Sequence, residues 1–155
     1  DFADVQDVVR YRSRDNARTP MQWSDREQAG FTESEPWIPI NPAHEAINAA
    51  DQRGREDSIL SYYQDLIDLR HDEEALAYGV YDLLAEEHPR VWAYERTLEE
   101  DTILVVLNWA GRPSRVALGD ADTVRSVLAC NYDDPGTDLG SLALRPYEAR
   151  VYRVN

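Results

Sequence analysis

At 155 residues, 43% of them hydrophobic and with four Trp and nine Tyr, the chain holds enough apolar material for one domain with a core, or for a small domain and a piece of another. Thirty Asp and Glu face sixteen basic residues, and the net charge of −14 argues against nucleic acid or an anionic membrane as partner. No run of about 18 apolar residues occurs, so no membrane span is expected, and the charged opening DFADVQDVVRYR does not read as a secretion signal. With no initiator Met, the chain is expected to be a segment of something longer.

All sixteen basic residues are Arg. An acidic surplus without Lys fits a halophilic protein kept soluble in strong salt, and it fits equally a GC-rich coding bias. The single cysteine, Cys130, excludes an internal disulfide and suits a reducing, cytoplasmic compartment. Its apolar approach, Val127-Leu128-Ala129, predicts a buried strand residue rather than a nucleophile.

In chain order, Val5, Val8 and Val9 at three-to-four spacing predict the end of a helix over residues 4–12. Residues 13–42 carry Pro20, Pro36, Pro39 and Pro42 with Gly30 among them, which predicts a long ordered loop; loops of that length are usually functional. Residues 48–53 predict a short helix stopped by Gly54. The clearest helix is DSILSYYQDLIDLRH, residues 57–71. Ile59, Tyr62, Tyr63, Leu66 and Ile67 fall on one face, Asp57 or Ser58 can cap the start, and Arg70 and His71 suit the last turn. That face is expected to be buried against a larger body. Beyond Gly79 the period becomes that of strands, predicted at 80–85, 90–97, 102–109, 114–118, 124–130 and 148–154. Leu98-Glu99-Glu100-Asp101 joins two of them as a hairpin. ILVVLNW suits a central strand and EARVYRV one with a wet side, which together argue for a small antiparallel β-sandwich.

Chemistry concentrates in SRDNARTPMQW. Arg14 and Arg18 flank Asp15 and Asn16, and a guanidinium held by a carboxylate still has donors to offer a ligand oxygen. Pro20 fixes the backbone and Trp23 can pack underneath. On physical grounds alone the knot reads as a tied-down loop in preference to the lip of a binding site, because Arg-Asp knots commonly hold long loops. His44, His71 and His88 have no metal-ligand spacing with one another or with Cys130, so no metal is expected, and no cofactor motif appears. The pairs Glu33/Glu35, Glu73/Glu74, Glu86/Glu87 and Glu99/Glu100 read as solvated surface rather than as a catalytic acid and base.

RSRDNARTPMQW, AGFTESEPWIPINP, INAADQ, DSILSYYQDLIDLRH, YGVYDLL and LRPYEARVY, in collinear order over nearly the whole chain, resemble the C-terminal part of the α-glucosidases and oligo-1,6-glucosidases of the α-amylase superfamily, glycoside hydrolase family 13. The resemblance implies the end of a (β/α)₈ barrel over residues 1–78, with residues 57–71 as its last helix, followed by an all-β antiparallel sandwich, domain C, over 79–155. It implies a retaining hydrolase acting on the non-reducing end of an α-linked gluco-oligosaccharide. Retention needs a carboxylate nucleophile and a carboxylic acid; in the family these lie upstream, so no catalytic residue is assigned here. What carries over is Arg18, beside the glucose pocket, with Arg14, Asp15, Asn16 and Trp23 as its support. The remainder of the barrel is the implied partner, and the isolated segment is expected to be inactive.

Two other readings share the scaffold. One is a non-catalytic carbohydrate-binding module or transporter-type subunit, for which exposed Trp37, Trp92 or Trp109 would speak; the strand pattern instead predicts Trp92 and Trp109 mainly in the core and Trp37 packed in its loop. The other is a sister activity such as trehalose or isomaltulose formation.

Overall fold

Proline density keeps residues 14–47 out of long regular elements. The computed structural model describes Val5 and residues 14–119 and 123–155, so the helix expected over 4–12 lies, Val5 apart, outside the described residues. From residue 14 to residue 47 only single 3₁₀ turns form among the described residues, at Arg14–Ala17, Glu27–Gly30 and Pro42–Glu45. Each proline removes a donor and disfavours helix in the residue before it.

The short helix α1 (Ala49–Gln52) starts where Asn48 supplies a side-chain cap, and Gly54 turns the chain at φ +80°. Helix α2 (Ile59–Asp72) follows, with Ser58 Oγ accepting the Ser61 N–H at 3.1 Å and Gln52 Oε1 accepting the Leu60 N–H at 3.0 Å. These two acceptors occupy donors left over at a helix start. Ser58, rather than Asp57, does the capping. The apolar face expected to be buried is open: Ile59, Tyr63 and Ile67 are 76%, 64% and 46% exposed, and no residue of α2 is buried. The periodicity is present, but its cover is not among the described residues.

Helix α3 (Glu74–Tyr78) was not foreshadowed by the sequence pattern, being little more than one turn. It stops at Gly79, whose N–H donates to the Ala75 carbonyl at 2.9 Å. A Cβ on Gly79 would stand 2.5 Å from that oxygen and 3.0 Å from Thr97 N, so only glycine lets helix and sheet meet so closely.

Seven strands follow: β1 (Val80–Leu84), β2 (Val91–Leu98), β3 (Asp101–Asn108), β4 (Ser114–Val116), β5 (Val124–Cys130), β6 (Leu142–Leu144) and β7 (Ala149–Val154). An antiparallel sheet in the order β1-β2-β3-β7-β5 faces a two-stranded sheet of β4 and β6. The β2–β3 hairpin closes with Leu98 opposite Asp101, as the sequence predicts. Strand β3 is buried on both faces from Ile103 to Val106, and β7 alternates, with Arg150, Tyr152 and Val154 inward. Leu104, Val106, Tyr152 and Val154 meet Val116, Leu139, Leu142 and Leu144 between the sheets. On the other face Ile103 and Val105 pack with Ala75 of α3. Strand β6 went unpredicted because three residues are too few to show alternation. Cys130, expected to be buried, is half-buried, since β5 is an edge strand with two register shifts against β7. Two compact units divide the chain, Asp1–Asp65 and Leu66–Asn155, with α2 running through the division.

A buried ion group ties the sandwich together. Arg150, 3% exposed, donates from Nε to Glu148 Oε1 at 2.8 Å, from Nη1 to Tyr152 Oη at 3.1 Å and the Gly136 carbonyl at 3.0 Å, and from Nη2 to the Ala143 carbonyl at 2.7 Å. Arg145 adds its Nη2 at 2.7 Å and its own N–H at 2.6 Å to the Glu148 carboxylate, which is fully buried. Burial by itself would raise the Glu148 pKa; the hydrogen bonds from Arg145 and Arg150 override it and lower it from 4.5 to about 2.

Because the folded value lies below the unfolded one, the stabilisation is complete above about pH 4.5 and disappears as the pH falls towards 2, a difference of about 3 kcal/mol. Arg145→Met is expected to move the acid-unfolding midpoint, followed by Trp fluorescence, to higher pH. Arg55→Met, which breaks ion pairs to half-exposed Asp51 and exposed Asp57, should leave it in place. Equal midpoints for wild type and Arg145→Met would contradict this reading of the network.

Candidate functional site

The first compact unit is built around the loop that carries Arg18. The turn Arg14–Ala17 closes with the Arg18 N–H donating to the Asp15 carbonyl at 3.0 Å. Arg18 and Thr19 are exposed, whereas Pro20 is buried. A charged side chain therefore stands in solvent two residues from a buried, ring-locked anchor. The side chains of Arg14 and Asn16 lie outside the described residues. Asp15 is exposed and engaged in interaction.

Beyond Pro20 the backbone is held from two directions. On one side, the Ala49 and Ala50 N–H groups at the start of α1 donate to the Gln22 and Trp23 carbonyls, both at 2.9 Å, and the Gln22 side-chain amide donates to the Ile47 carbonyl. A helix start has N–H groups without intrahelical partners, and here loop carbonyls supply them. On the other side, the Trp23 and Ser24 N–H groups both donate to the Ala29 carbonyl at 3.0 Å. Ala29 is fully buried and sits in a left-handed run: Gln28, Ala29 and Gly30 have φ of +52°, +55° and +65°. For Gln28 and Ala29 that conformation costs about 1–2 kcal/mol each, so the surrounding contacts hold it in place. At Gly30 a Cβ would meet Ser24 Oγ at 2.6 Å, so this position requires glycine for both its φ and its space.

The far side of the clamp is organised by Asn48, 5% exposed, whose Oδ1 accepts the Asp51 N–H and whose Nδ2 donates to the His44 carbonyl, each at 2.9 Å. Asn41 Oδ1 caps the 3₁₀ turn below by accepting the Ala43 N–H at 3.0 Å. Trp23, expected beneath the loop, is 51% exposed and contributes through its backbone. Gln22, Ala29, Gly30 and Asn48 were not singled out from the sequence. Asn48 ahead of Ala-Ala-Asp-Gln carried a cap signal, but a left-handed Gln-Ala pair carries none.

The tryptophans also depart from expectation. Trp37 is 85% exposed instead of packed in its loop. Trp92 and Trp109 are 40% and 62% exposed instead of in the core, and they stack with ring centroids 5.8 Å apart. The period of two explains Trp92: Val91 and Ala93 take the inner face of β2, leaving Trp92 and Tyr94 on the outer one. Trp109 lies just past the end of β3. Of the acidic pairs, Glu73 is ion-paired with Arg153, which also holds Asp101 at 2.9 Å. Among the described residues no group of three His, Cys, Asp or Glu could hold a metal ion, and no helix is long and apolar enough to cross a membrane.

Residues 1–79 match the model of the alpha amylase catalytic domain, and residues 81–151 match that of the maltogenic amylase C-terminal domain. The chain belongs to the alpha-amylase family: it is the end of the catalytic domain followed by an antiparallel β C-terminal domain. It is 40% identical to an oligo-1,6-glucosidase of Parageobacillus thermoglucosidasius over 99% of this chain and 28% of that protein. Its fold superposes on an isomaltulose synthase from Klebsiella sp. LX3 with a TM-score of 0.83 at 42% identity, covering 92% of this chain and 26% of that one. A trehalulose synthase from Pseudomonas mesoacidophila MX-45 gives a TM-score of 0.85 at 38% identity with the same coverage. The chain thus spans about a quarter of the length of the relatives it matches.

Asn48→Ala is expected to destabilise the protein by about 1–2 kcal/mol, because a buried cap and a buried amide hydrogen bond are lost together. Asn41→Ala, at an exposed cap, should cost clearly less. Urea unfolding of the two variants side by side checks the ranking, and an equal loss in both would contradict the clamp's dependence on Asn48.

Proposed function

We propose that the chain is the C-terminal part of a retaining α-glucosidase that hydrolyses non-reducing-end α-glucosidic bonds of oligosaccharides. The observation that carries this reading is the 40% identity to oligo-1,6-glucosidase over 99% of the chain. In this proposal residues 1–78 complete the catalytic barrel and residues 79–155 form domain C. The nucleophile and acid are supplied by the remainder of the enzyme, and no surface carboxylate of this segment takes either role. We assign the enzyme to the cytoplasm, on a single cysteine that has no internal disulfide partner; the acidic, Lys-free composition fits a high-salt setting as it fits a GC-rich coding bias.

Within that enzyme Arg18 is the substrate-binding residue. Its guanidinium offers five donors in a fixed fork, which suits the vicinal hydroxyls of a terminal glucose. Support comes from its exposure beside a buried proline, on a loop whose main chain is clamped on both sides. Asp15, with Arg14, Asn16 and Trp23, supports the loop.

A second reading is favoured by one observation: the isomaltulose synthase is 42% identical over 92% of the chain, as close as the hydrolases. On that reading the same scaffold and the same Arg18 serve glucosyl transfer within sucrose instead of transfer to water.

The isolated 155 residues should show no turnover of an aryl α-glucoside. In the full-length enzyme Arg18→Ala should lower kcat/KM about ten- to a hundredfold, the loss of a charge-assisted hydrogen bond. Turnover by the pure segment, or an unchanged kcat/KM in the variant, would contradict the proposal. Sucrose incubation separates the two readings, since a hydrolase yields glucose and fructose and an isomerase yields a disaccharide product.

A further inference from the structure

We infer that the left-handed turn Gln28-Ala29-Gly30 is a positioning device for Arg18, with Gly30 its critical residue. This rests on the reading of Arg18 as the glucose-binding residue, and adds to it the part of the chain that sets where Arg18 stands.

A run of three left-handed residues, two of them not glycine, persists only where its surroundings over-determine it, and such strain collects at functional segments. Here the strain has an identifiable product. It aims the buried Ala29 carbonyl at two successive N–H groups, those of Trp23 and Ser24. The same stretch is gripped from the opposite side through the Gln22 and Trp23 carbonyls by the start of α1. Trp23 is thus fixed through both its N–H and its carbonyl. From Trp23 back to Arg18 the path is only a few residues, and it passes through buried Pro20, whose φ is locked. In the proposed device a shift at Trp23 is passed to the exposed Arg18 through this short stretch, anchored at buried Pro20.

Gly30 is where the device is most sensitive. A methyl group there meets Ser24 Oγ at 2.6 Å and must hold a φ of +65°, so it both displaces the Ser24 hydroxyl and strains the turn, while Trp23 Cβ at 3.7 Å stays in ordinary contact. A turn with no role beyond connecting residues 24 and 31 would accept a looser geometry. This one directs its buried Ala29 carbonyl at the Trp23 and Ser24 N–H groups, in the stretch that continues from Arg18.

The test is a double-mutant cycle in the full-length enzyme on an aryl α-glucoside. Gly30→Ala should raise KM, by up to about a hundredfold, with kcat changed far less. In an Arg18→Ala background the same substitution should raise KM less than about twofold, because its effect is already spent. Ser24→Ala combined with Gly30→Ala removes the oxygen in the way and should recover only the part of the KM that the clash causes, because the φ of +65° stays strained for Ala. Asn48→Ala loosens the same carbonyls from the α1 side and provides an independent cycle should Gly30→Ala fail to fold. Equal fold-changes with and without Arg18, or no change in KM from Gly30→Ala or Asn48→Ala while Arg18→Ala raises it, would overturn the inference alone. An Arg18→Ala enzyme with wild-type kcat/KM would overturn the glucose-binding reading and this inference with it.

Discussion

Two N–H groups without intrahelical partners, at the start of the four-residue helix α1, shape the loop that follows Arg18. A helix cannot satisfy its own first donors, and α1 gives two of them to the Gln22 and Trp23 carbonyls. That pairing fixes one side of a long, proline-rich loop. The Ala29 carbonyl fixes the other, at the cost of a left-handed backbone. Asn48 completes the arrangement by capping the helix and holding the His44 carbonyl. A loop of this length would carry many unsatisfied backbone groups if left irregular; here the backbone groups of Gln22, Trp23, Ser24 and Ala29 are paired, and the charged Arg18 is left outward.

The sandwich solves a comparable problem with charge. Its buried Glu148 would be costly alone, but Arg145 and Arg150 surround it, and Arg150 reaches on to carbonyls at Gly136 and Ala143. One guanidinium thereby links β7 to β6 and to the loop before it. A three-residue strand such as β6 has little to hold it by itself, so this polar attachment complements the packing of Leu142 and Leu144.

Much of the second unit was legible in the sequence because period two is strong in ILVVLNW and EARVYRV, and because Gly79 punctuates the change of period. The strand ends moved by a residue or so, and β6 and α3 escaped because neither is long enough to show a period. Helix α2 was legible as a helix, and its apolar face was real, yet that face is open. Periodicity reports which side of an element is apolar and not what covers it. The same limit misplaced Trp92 and Trp109: a tryptophan in or beside a strand can lie on either face, and here both lie outward. At the candidate site the motif around Arg18 could be read from residue types, whereas the clamp could not. Its members are backbone groups at residues 22, 23, 29, 49 and 50, and main-chain carbonyls leave no signature in composition.

On the reading proposed here, the chain completes a retaining glycosidase whose two reacting carboxylates lie outside these residues. The stereochemistry of the first product tests that account most directly. When the full-length enzyme cleaves an aryl α-glucoside, proton NMR should show α-glucose appearing first and mutarotating only later, as a two-step displacement requires. Release of β-glucose first, or no release of glucose at all, would contradict it.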